Sequence, residues 1–511
     1  MYEIKNLSLE EKVGQMLIFA FHGIDYNNQI SAFVNELKIG GIIFFYRNIE
    51  SINQVALLNK RIQNETRIPF FIGLDQEGGS VLRITEGITP LPGAMALAST
   101  PVNEIYDITK AVGDDLKNLG FNLNFAPVAD INTNPFNPVI NSRSYGDDPK
   151  KVAHYATCAA MGFQDALVCP FLKHFPGHGN TCVDSHIGLP RVNASKADLV
   201  NNELVPYRHA IAAGIEGIMT AHILYPGYDK KYPASLSYKL ITKLLKKQMG
   251  FTGIICTDSL TMGAISKNYS IRKTIRLAVN AGNDLLIFCG EAKLEEQRAI
   301  YNVFLDLVKR GKIPLKRVNE SVSKILRYKA KYQKGKINTA KVAQDTSVLL
   351  GQRLQQESIT LVKDGGLLPL KVSDKVLMLF PKLEIASLVD NEKQDYKSLG
   401  NYLPFEERII SPNVINKKDI IAINKQYDKI VLATYNVRIG DWQQELFSFL
   451  DKEKTIVVSL RSPYDALHLH NINTYICIYE GTENSLKSLA LCLSGKNPFL
   501  GKLPISLKGL D

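Results

Sequence analysis

The sequence predicts two α/β domains in a chain of 511 residues. These are an N-terminal (β/α)8 TIM-type barrel over 1–335 and a smaller C-terminal α/β sandwich domain over 351–511, joined by a linker at 336–350. The first observation is that the first 290 residues alternate short apolar runs with amphipathic segments. The second is that these runs number eight, the strand count of such a barrel. The third is a lysine-rich stretch at 329–341, which is followed by four further strand-like runs.

Several of the N-terminal runs are apolar throughout until a polar residue ends them, the pattern of strands buried on both faces. The eight runs are 16–21, 41–45, 70–75, 124–130, 169–175, 217–223, 253–259 and 284–289. Amphipathic segments lie between them, and four of these end in a glycine, as helices often do. They cover 51–65, 104–120, 197–214, 239–250 and 271–282. Repeated strand–helix units favour a parallel sheet, and eight favour a closed barrel over the alternative, a doubly wound open sheet.

The remainder of the chain predicts a second layered domain. Helices are expected at 295–312, 317–332 and 346–362. The strand-like runs that follow, with helical segments between them, are 375–380, 429–436, 455–460 and 474–479. This part has no glycine-rich phosphate-binding motif, so no nucleotide is assigned to it, and no cofactor is expected.

Composition points to an ordinary globular protein, with 45% hydrophobic and 22% charged residues. No apolar run approaches the roughly 18–20 residues of a membrane span, so none is expected. The short N-terminal run at 16–21 makes a poor signal peptide, and the seven cysteines contain no CxxC motif. Both features suit a reducing cytoplasm. A monomer is expected.

The net charge of +11 bears on possible partners. One interpretation is a generally basic surface. A more specific one is attraction to acidic ligands such as carboxylated cell-wall fragments. The lysines are scattered and no nucleic-acid-binding motif is present, so no nucleic-acid partner is expected.

Titratable side chains end five of the eight runs. Because the carboxyl ends of barrel strands form the active-site face, these side chains are expected at one rim. They are Asp75, Asp130, Lys173 with His174, His222 and Asp258. The densest stretch, 173–186, holds three of the nine histidines in a glycine-broken loop. A polar pocket that binds a ligand and moves a proton would explain this density.

Two groups in this set are candidates for catalysis. Asp258, at a strand end, is placed either to attack an electrophilic carbon or to cap the next helix. Asp184 and His186 are spaced as an acid/base pair, in which the carboxylate orients the imidazole, or as a local turn hydrogen bond. The residues alone leave both choices open.

Other side chains are candidates for binding. Asp75 can accept hydrogen bonds from two hydroxyls and Arg83 can donate to an oxygen, and the alternative is a loop ion pair between them. Arg143 is a second fixed cation, and His222 is given only a supporting role. The histidine spacing matches no metal-binding motif, so no metal is expected.

These motifs together resemble glycoside hydrolase family 3, specifically its bacterial β-N-acetylglucosaminidase (β-N-acetylhexosaminidase) branch in the two-domain form. KHFPGHG followed by DSH is the most specific match, because the glucosidases of the family lack this histidine dyad. The C-terminal likeness, through SITLVKDGGLLPL, VVSLRSPYDAL and GKLPISL, is weaker. The other matching segments are LSLEEKVGQML, GGIIFFYRN, DQEGGSVLR, TPLPGAMAL, NFAPVADI, RSYGDDP, MTAHI, ICTDSLTMGAI and AGNDLLI.

The resemblance implies a retaining, exo-acting enzyme that releases N-acetylglucosamine from peptidoglycan fragments. It implies that Asp258 is the nucleophile and that His186, oriented by Asp184, is the general acid/base. It also implies that the loop carrying His186 closes over substrate. The residues it implies for holding the sugar hydroxyls and acetamido group are Asp75, Arg83, Arg143, Lys173 and His174.

Three other functions stay open. The same residues would serve a phosphorylase that uses phosphate instead of water, or a β-glucosidase or β-xylosidase. A non-catalytic carbohydrate-binding protein would share the fold. Ser80, where branch members usually have arginine, and the turn Asn141-Ser142-Arg143 depart from the family pattern. Both departures are expected to affect how the aglycone is held.

Overall fold

The computed structural model describes residues 3–290, 293–383, Asp390, 397–412 and 417–507. Its strands are β1 (Leu17–Ala20), β2 (Gly41–Phe44), β3 (Phe71–Leu74), β4 (Leu123–Asn124), β5 (Cys169–Pro170), β6 (Leu172–Phe175), β7 (Gly217–Thr220), β8 (Ile254–Thr257), β9 (Leu286–Phe288), β10 (Thr360–Lys363), β11 (Val376–Pro381), β12 (Glu406–Ile410), β13 (Lys429–Thr434), β14 (Thr455–Ser459) and β15 (Thr474–Cys477).

Helices alternate with these strands. The α-helices are α1 (Leu9–Gln15), α2 (Asn28–Asn35), α3 (Ile52–Glu65), α4 (Ala94–Ser99), α5 (Ile105–Asn118), α6 (Pro149–Asp165), α7 (Lys196–Asn201), α8 (Val205–Ala212), α9 (Gly263–Ser266), α10 (Ile271–Ala281), α11 (Leu294–Lys309), α12 (Leu315–Tyr332), α13 (Asp345–Ser358), α14 (Lys417–Gln426), α15 (Trp442–Phe449) and α16 (Glu483–Leu493). Lys239–Gln248 forms a π-helix. Short 3₁₀ helices cover Ile4–Asn6, Tyr46–Asn48, Asn141–Arg143, Ala234–Leu236, Thr339–Lys341, Leu399–Asn401 and Pro463–His468. None of the described helices is long and apolar enough to cross a membrane.

The N-terminal strands form a closed parallel barrel. One sheet runs in the order β5-β4-β3-β2-β1-β9, and a second runs β6-β7-β8. The two sheets join where β5 continues into β6 after one residue, and where Cys256 in β8 forms a parallel bridge with Leu285 beside β9. The ring is therefore complete, and the predicted barrel is confirmed over the predicted alternative of an open sheet.

Two predicted barrel elements differ from the structure. The run 124–130 is paired as a strand only in β4, and beyond it a single bridge joins Val128 to Lys173. Pro127 interrupts this run because proline has no N–H to donate to a ladder. The segment 197–214 is not one helix but two, α7 and α8, because Pro206 lies in the first turn of α8, where proline begins a helix.

The C-terminal domain is an α/β sandwich, as predicted. Its sheet has the order β10-β15-β14-β13-β11-β12, with β10 antiparallel and the other pairs parallel. Two consecutive residues of β11, Leu377 and Met378, enter separate apolar clusters on opposite faces of the sheet. One cluster includes residues of α14 and α15, and the other includes residues of α16.

Two edge strands of this sheet were not predicted. The helix predicted at 346–362 ends at Ser358, and the following residues pair as β10 with β15. β12 reads Glu-Glu-Arg-Ile-Ile, and only its last residue is buried, so it lacks the apolar run that marks a buried strand. The division into 1–335, 336–350 and 351–511 stays a prediction. Helix α13 packs against both α4 and α16.

A buried carboxyl group links the two domains. Glu480 follows β15 and is 2% exposed. Its Oε2 accepts a hydrogen bond from the backbone N–H of Gly93 at 2.6 Å, and its Oε1 accepts one from Thr482 Oγ1 at 3.2 Å. Burial raises the pKa of Glu480 to about 7, although both hydrogen bonds oppose the rise.

We expect Glu480→Gln to stabilise the protein at pH 8 but not at pH 5. The folded pKa of about 7 lies above the ordinary value of 4.5, so the folded state holds this proton more tightly than the unfolded chain. Stability from this group is therefore lost as pH rises from about 4.5 to about 7, by up to about 3 kcal/mol. Glutamine carries no charge; its amide oxygen can accept from Gly93 N, and its amide nitrogen can donate to Thr482 Oγ1. Thermal unfolding should show Tm raised by about 2 °C at pH 8.

The matched control for this variant is Glu453→Gln, because Glu453 is exposed in the same domain. An equal Tm change for Glu480→Gln at both pH values would contradict the assignment of a raised pKa.

Candidate active site

A cavity of about 320 Å³ lies at the carboxyl ends of the barrel strands. Asp75 follows β3 and Asp258 follows β8, while Lys173 and His174 lie within β6. Seven of the eight predicted site residues line this cavity, namely Asp75, Arg83, Arg143, Lys173, His174, His186 and Asp258. The eighth, Asp184, binds the imidazole of His186. The structure therefore brings all eight predicted side chains into one site.

Asp258 is half-buried and points its carboxylate into the cavity. Its Oδ1 accepts a hydrogen bond from the backbone N–H of Ser259 at 2.7 Å. Burial alone would raise the pKa of Asp258, but the nearby imidazoles of His174, His222 and His186 bring it down to about 2. The next helix, α9, is capped by Met262, so the alternative role of Asp258 as its N-cap is wrong. A carboxylate that stays ionised at neutral pH can act as a nucleophile.

Asp184 and His186 form a hydrogen-bonded pair. His186 Nδ1 lies 2.7 Å from Asp184 Oδ1, and the same oxygen accepts from the His186 backbone N–H at 2.9 Å. The sequence left a local turn hydrogen bond and a carboxylate–imidazole pair as alternatives, and the structure contains both. Burial would raise the pKa of Asp184, but the hydrogen bond and charge of His186 hold it below its ordinary value. Because the His186 side chain is 26% exposed and uses Nδ1 for Asp184, its Nε2 is the nitrogen that can serve a substrate.

Backbone contacts hold the His186 loop beside Asp258. The carbonyl of His186 accepts from Gly263 N at 3.1 Å, and that of Ser185 accepts from Ala264 N at 3.1 Å. Both donors lie at the start of α9, a few residues after Asp258. A Cβ on Gly263 would lie 2.6 Å from the carbonyl oxygen of His186, so only glycine permits this approach.

We expect Gly263→Ala to lower kcat/KM by about 10²-fold, because a displacement of about 1 Å in a catalytic group has that effect. The new methyl group would push against a backbone oxygen, which cannot rotate away. The control is Gly188→Ala in the same loop, where the added Cβ meets its nearest atom at an ordinary 3.6 Å. Steady-state kinetics on an aryl glycoside would measure both. Equal activity of the two variants would contradict a positioning role for Gly263.

The proposed sugar-binding residues form a buried ion network. Lys173 Nζ lies 2.8 Å from Asp75 Oδ1 and 2.5 Å from Glu77 Oε1. Arg143 donates from Nε and Nη2 to the two oxygens of Glu77, both at 2.8 Å. Burial would raise the pKa of Glu77, but Arg143 and Lys173 hold it far below its ordinary value. Arg83 Nη2 lies 3.4 Å from Asp75 Oδ2, so the ion pair between these two residues, one of the two interpretations of the sequence, is present.

A second buried carboxylate orients His174. Asp130 Oδ2 lies 2.7 Å from His174 Nδ1, and Oδ1 accepts from the backbone N–H groups of His174 and His178. Asp130 is fully buried, and although burial would raise its pKa, the charge of His174 lowers it. With Nδ1 engaged, His174 presents Nε2 to the cavity, as a ligand-binding histidine would.

The other two histidines near the site have structural contacts. His222 is satisfied by Ser235 Oγ at 2.7 Å and by the Ser259 carbonyl at 2.8 Å, which agrees with its supporting role. His178 contacts Thr181 Oγ1 and Ser185 Oγ, and burial lowers its pKa to about 4. Within the described residues, no group of three His, Cys, Asp or Glu side chains is arranged to hold a metal ion.

Three residues of the site were missed in the sequence. Asp130 was recognised as a strand end but given no role, and Glu77 lies only two positions after Asp75. Both follow apolar runs, and that signal was available. Asp390 also lines the cavity, although it comes from the second domain, where its carboxylate accepts from Arg461 Nη2 at 3.1 Å. No local motif marks it.

Comparison with known proteins decides the family. Residues 8–328 match the family model described as "Glycosyl hydrolase family 3 N terminal domain". The chain belongs to glycoside hydrolase family 3. This family 3 protein is a glycoside hydrolase, and the family predicted from its motifs is confirmed.

Individual relatives of this family 3 chain cover both domains. Beta-hexosaminidase A of Pseudoalteromonas piscicida is 32% identical over 490 residues, which are 86% of this chain and 82% of that protein. A family 3 β-N-acetylglucosaminidase structure from Paenibacillus sp. str. FPU-7 is 35% identical, with a TM-score of 0.91 and coverage of 98% and 99%. The structure of beta-glucoside phosphorylase BglX is 22% identical with a TM-score of 0.83 over 98% and 95%, a likeness that shows the fold alone.

Proposed function

We propose that this glycoside hydrolase is a retaining exo-β-N-acetylglucosaminidase that releases terminal N-acetylglucosamine from peptidoglycan fragments. The observation that carries the proposal is that one cavity is lined both by the ionised carboxylate of Asp258 and by His186, whose imidazole binds Asp184. Its volume of about 320 Å³ is at the small end of ligand cavities, which span about 300–1,000 Å³. A cavity of this size suits one terminal sugar, and hence exo action.

The first chemical step transfers the sugar to the protein. Asp258 attacks the anomeric carbon as the glycosidic C–O bond breaks, and His186 gives its Nε2 proton to the departing oxygen. Asp184 stabilises the imidazolium before the transfer and holds the ring in orientation through Nδ1. The low pKa of Asp258, about 2, keeps the nucleophile ionised throughout the neutral range.

The second step returns the enzyme to its starting state. His186, now neutral, accepts a proton from water at Nε2 while the water oxygen attacks the anomeric carbon. The ester bond between that carbon and Asp258 breaks as the water oxygen attacks, and the carboxylate is regenerated. Two displacements at the same carbon give net retention.

The ion network is proposed to hold the sugar. Asp75 accepts from hydroxyl groups, while Lys173, Arg83 and His174 Nε2 supply donors or a second acceptor. Arg143 already donates to Glu77 and to the Val139 carbonyl. We therefore propose that Arg143 contributes its charge and fixes Glu77, which in turn fixes Lys173.

The names of the relatives support the substrate, since two of those compared are a β-hexosaminidase and a β-N-acetylglucosaminidase. The test is the rate of hydrolysis of aryl β-N-acetylglucosaminide against aryl β-glucoside. We expect a strong preference for the first. A preference for the glucoside would reject the assignment in favour of a β-glucosidase or β-xylosidase.

A β-N-acetylglucosaminide phosphorylase is the second candidate. It would use the same residues, and a neutral imidazole at the acid/base position repels an anionic acceptor less than a carboxylate does. Turnover with and without phosphate separates the two, because phosphorolysis yields a sugar 1-phosphate. We expect free N-acetylglucosamine as the product both with and without phosphate.

A cytoplasmic location and a monomeric state are also proposed. All seven cysteines are free, and this supports a reducing compartment. Cell fractionation and light scattering would test the two statements. We also propose the division into two domains, 1–335 and 351–511, joined by a linker at 336–350. Limited proteolysis within 336–350 would test it.

A further inference from the structure

We infer that Glu480, a residue of the second domain, positions the substrate-binding network of the barrel. This inference rests on the proposed function and adds a positioning residue to it. Glu480 follows β15, and its side chain crosses to the barrel, where Oε2 accepts from the backbone N–H of Gly93 at 2.6 Å. Glu480 is not among the described residues that line the catalytic cavity, so any effect on substrate must pass through another residue.

Glu480 packs directly on the turn that carries Glu77. A pocket of about 10 Å³, room for about one water molecule, is lined by both of these side chains. A Cβ on Gly79 would lie 2.5 Å from Glu480 Oε2, and a Cβ on Gly93 would lie 2.7 Å from the same oxygen. Only glycine at both positions admits the carboxyl group, which therefore rests against the backbone of two barrel segments at once.

The contact reaches the sugar-binding network in two steps. Gly79 N–H donates to the carbonyl of Leu91 at 3.1 Å, two residues before Gly93, so the turn and the segment that Glu480 holds are tied together. Glu77 lies two positions before Gly79, and its Oε1 lies 2.5 Å from Lys173 Nζ. A shift of the turn would therefore move Glu77 and, with it, the ammonium group that is proposed to hold the sugar.

The segment after Gly93 is fixed in the core of the second domain. Gly93 is the N-cap of α4, and Met95 and Ala96 in this helix are fully buried. Both belong to the apolar cluster that includes residues of β13, β14 and β15. Glu480 thus joins the start of a helix that the second domain holds to a turn that the active site uses. The second domain thereby contributes to the geometry of the active site.

Glu480 forms no ion pair with any described residue. Arg143 lines the same pocket, but its Nε and Nη2 donate to Glu77, both at 2.8 Å. The other titratable side chains of the pocket are Tyr145 and Tyr479, whose pKa values burial raises, so both stay protonated. Burial raises the pKa of Glu480 to about 7. Ionisation above this pH leaves a buried charge without a partner, which favours opening of the contact.

Removal of the Glu480 side chain should weaken substrate binding rather than the chemical step, because the network holds the sugar before and during reaction. We expect Glu480→Ala to raise KM for aryl β-N-acetylglucosaminide about tenfold and to change kcat by less than about twofold. Glu480→Gln keeps an acceptor for the N–H of Gly93. At pH 5.5 its KM should lie within about twofold of the wild-type value.

The matched control is Ser99→Ala, at the other end of α4. Ser99 Oγ donates to the carbonyl of Ser358 at 3.0 Å, so this variant weakens the same docked helix without touching the Glu77 turn. We expect Ser99→Ala to lower Tm but to keep the wild-type KM.

The pH dependence gives a readout that loss of stability alone would not change. The ratio of the wild-type KM to the Glu480→Gln KM should rise from about 1 at pH 5.5 to about 3 at pH 8, because only wild type ionises at this position as pH passes about 7. Titration of His186 is common to the two proteins and cancels in the ratio.

The outcomes separate this inference from the proposed function. Glu480 is only a structural contact, and the inference is overturned, if Glu480→Ala lowers Tm but keeps the wild-type KM, or if Ser99→Ala raises KM as much. A KM ratio that stays constant between pH 5.5 and pH 8 also overturns it. All three results leave the proposed function standing. If wild type instead prefers aryl β-glucoside, the proposed function is wrong, and the same KM comparisons on the glucoside decide the role of Glu480. If wild type hydrolyses neither substrate, both are rejected.

Discussion

Asp258→Ala is expected to lower kcat/KM by about 10⁴-fold or more, as removal of a covalent nucleophile does in other enzymes. The side chain of Asp258 is the ionised carboxylate at the carboxyl end of β8, with its pKa at about 2. Alanine leaves the anomeric carbon without an attacking group. Steady-state hydrolysis of aryl β-N-acetylglucosaminide measures the loss.

External azide gives a sharper form of this experiment. It can enter the space that the carboxylate leaves and attack the same carbon from the same face. Azide should therefore restore turnover in Asp258→Ala and give the α-glycosyl azide, but leave wild type unaffected. Unchanged turnover in Asp258→Ala would show that another group is the nucleophile.

His186→Ala is expected to slow substrates according to their leaving groups. A sugar alcohol is a poor leaving group and needs the proton from His186, so hydrolysis of chitobiose should fall by about 10²–10⁴-fold. An activated aryl glycoside releases a stable phenolate, which needs no proton from His186. Its first step should therefore slow much less. Plotting log kcat/KM against the pKa of the leaving group measures the difference as a slope.

The control for that series is His154→Ala, an exposed histidine on α6 outside the cavity. It should leave the slope at its wild-type value. Equal slowing of good and poor leaving groups by His186→Ala would reject the acid role. Asp184→Asn should steepen the slope less than His186→Ala, since it only weakens the orientation of the ring.

The parts of the site that the sequence predicted are those with a local cause. A strand buried on both faces of a barrel reads as an apolar run, and the first polar residue after it marks the active-site rim. Asp75, Lys173 and Asp258 were predicted for this reason. The Asp184–His186 pair was predicted because its two members are separated by one residue and bond to each other.

The parts that were missed depend on packing between distant segments. Asp130 orients His174 from another strand, 44 positions away, and Glu77 joins Lys173 to Arg143. Asp390 reaches the cavity only because the second domain docks on the barrel. The edge strand β12 was missed because a partly exposed strand need not be apolar. Spacing along the chain carries none of this information.

We propose that the carboxylate of Asp258 and the imidazole of His186 act on the same glycosidic bond through a covalent intermediate. Trapping the glycosyl-enzyme with a fluorinated N-acetylglucosamine analogue, followed by peptide mapping, tests it most directly. We expect a single label on Asp258, with slow release that His186→Ala slows further. A label on any other residue, or rapid turnover of the analogue with no covalent adduct, would contradict it.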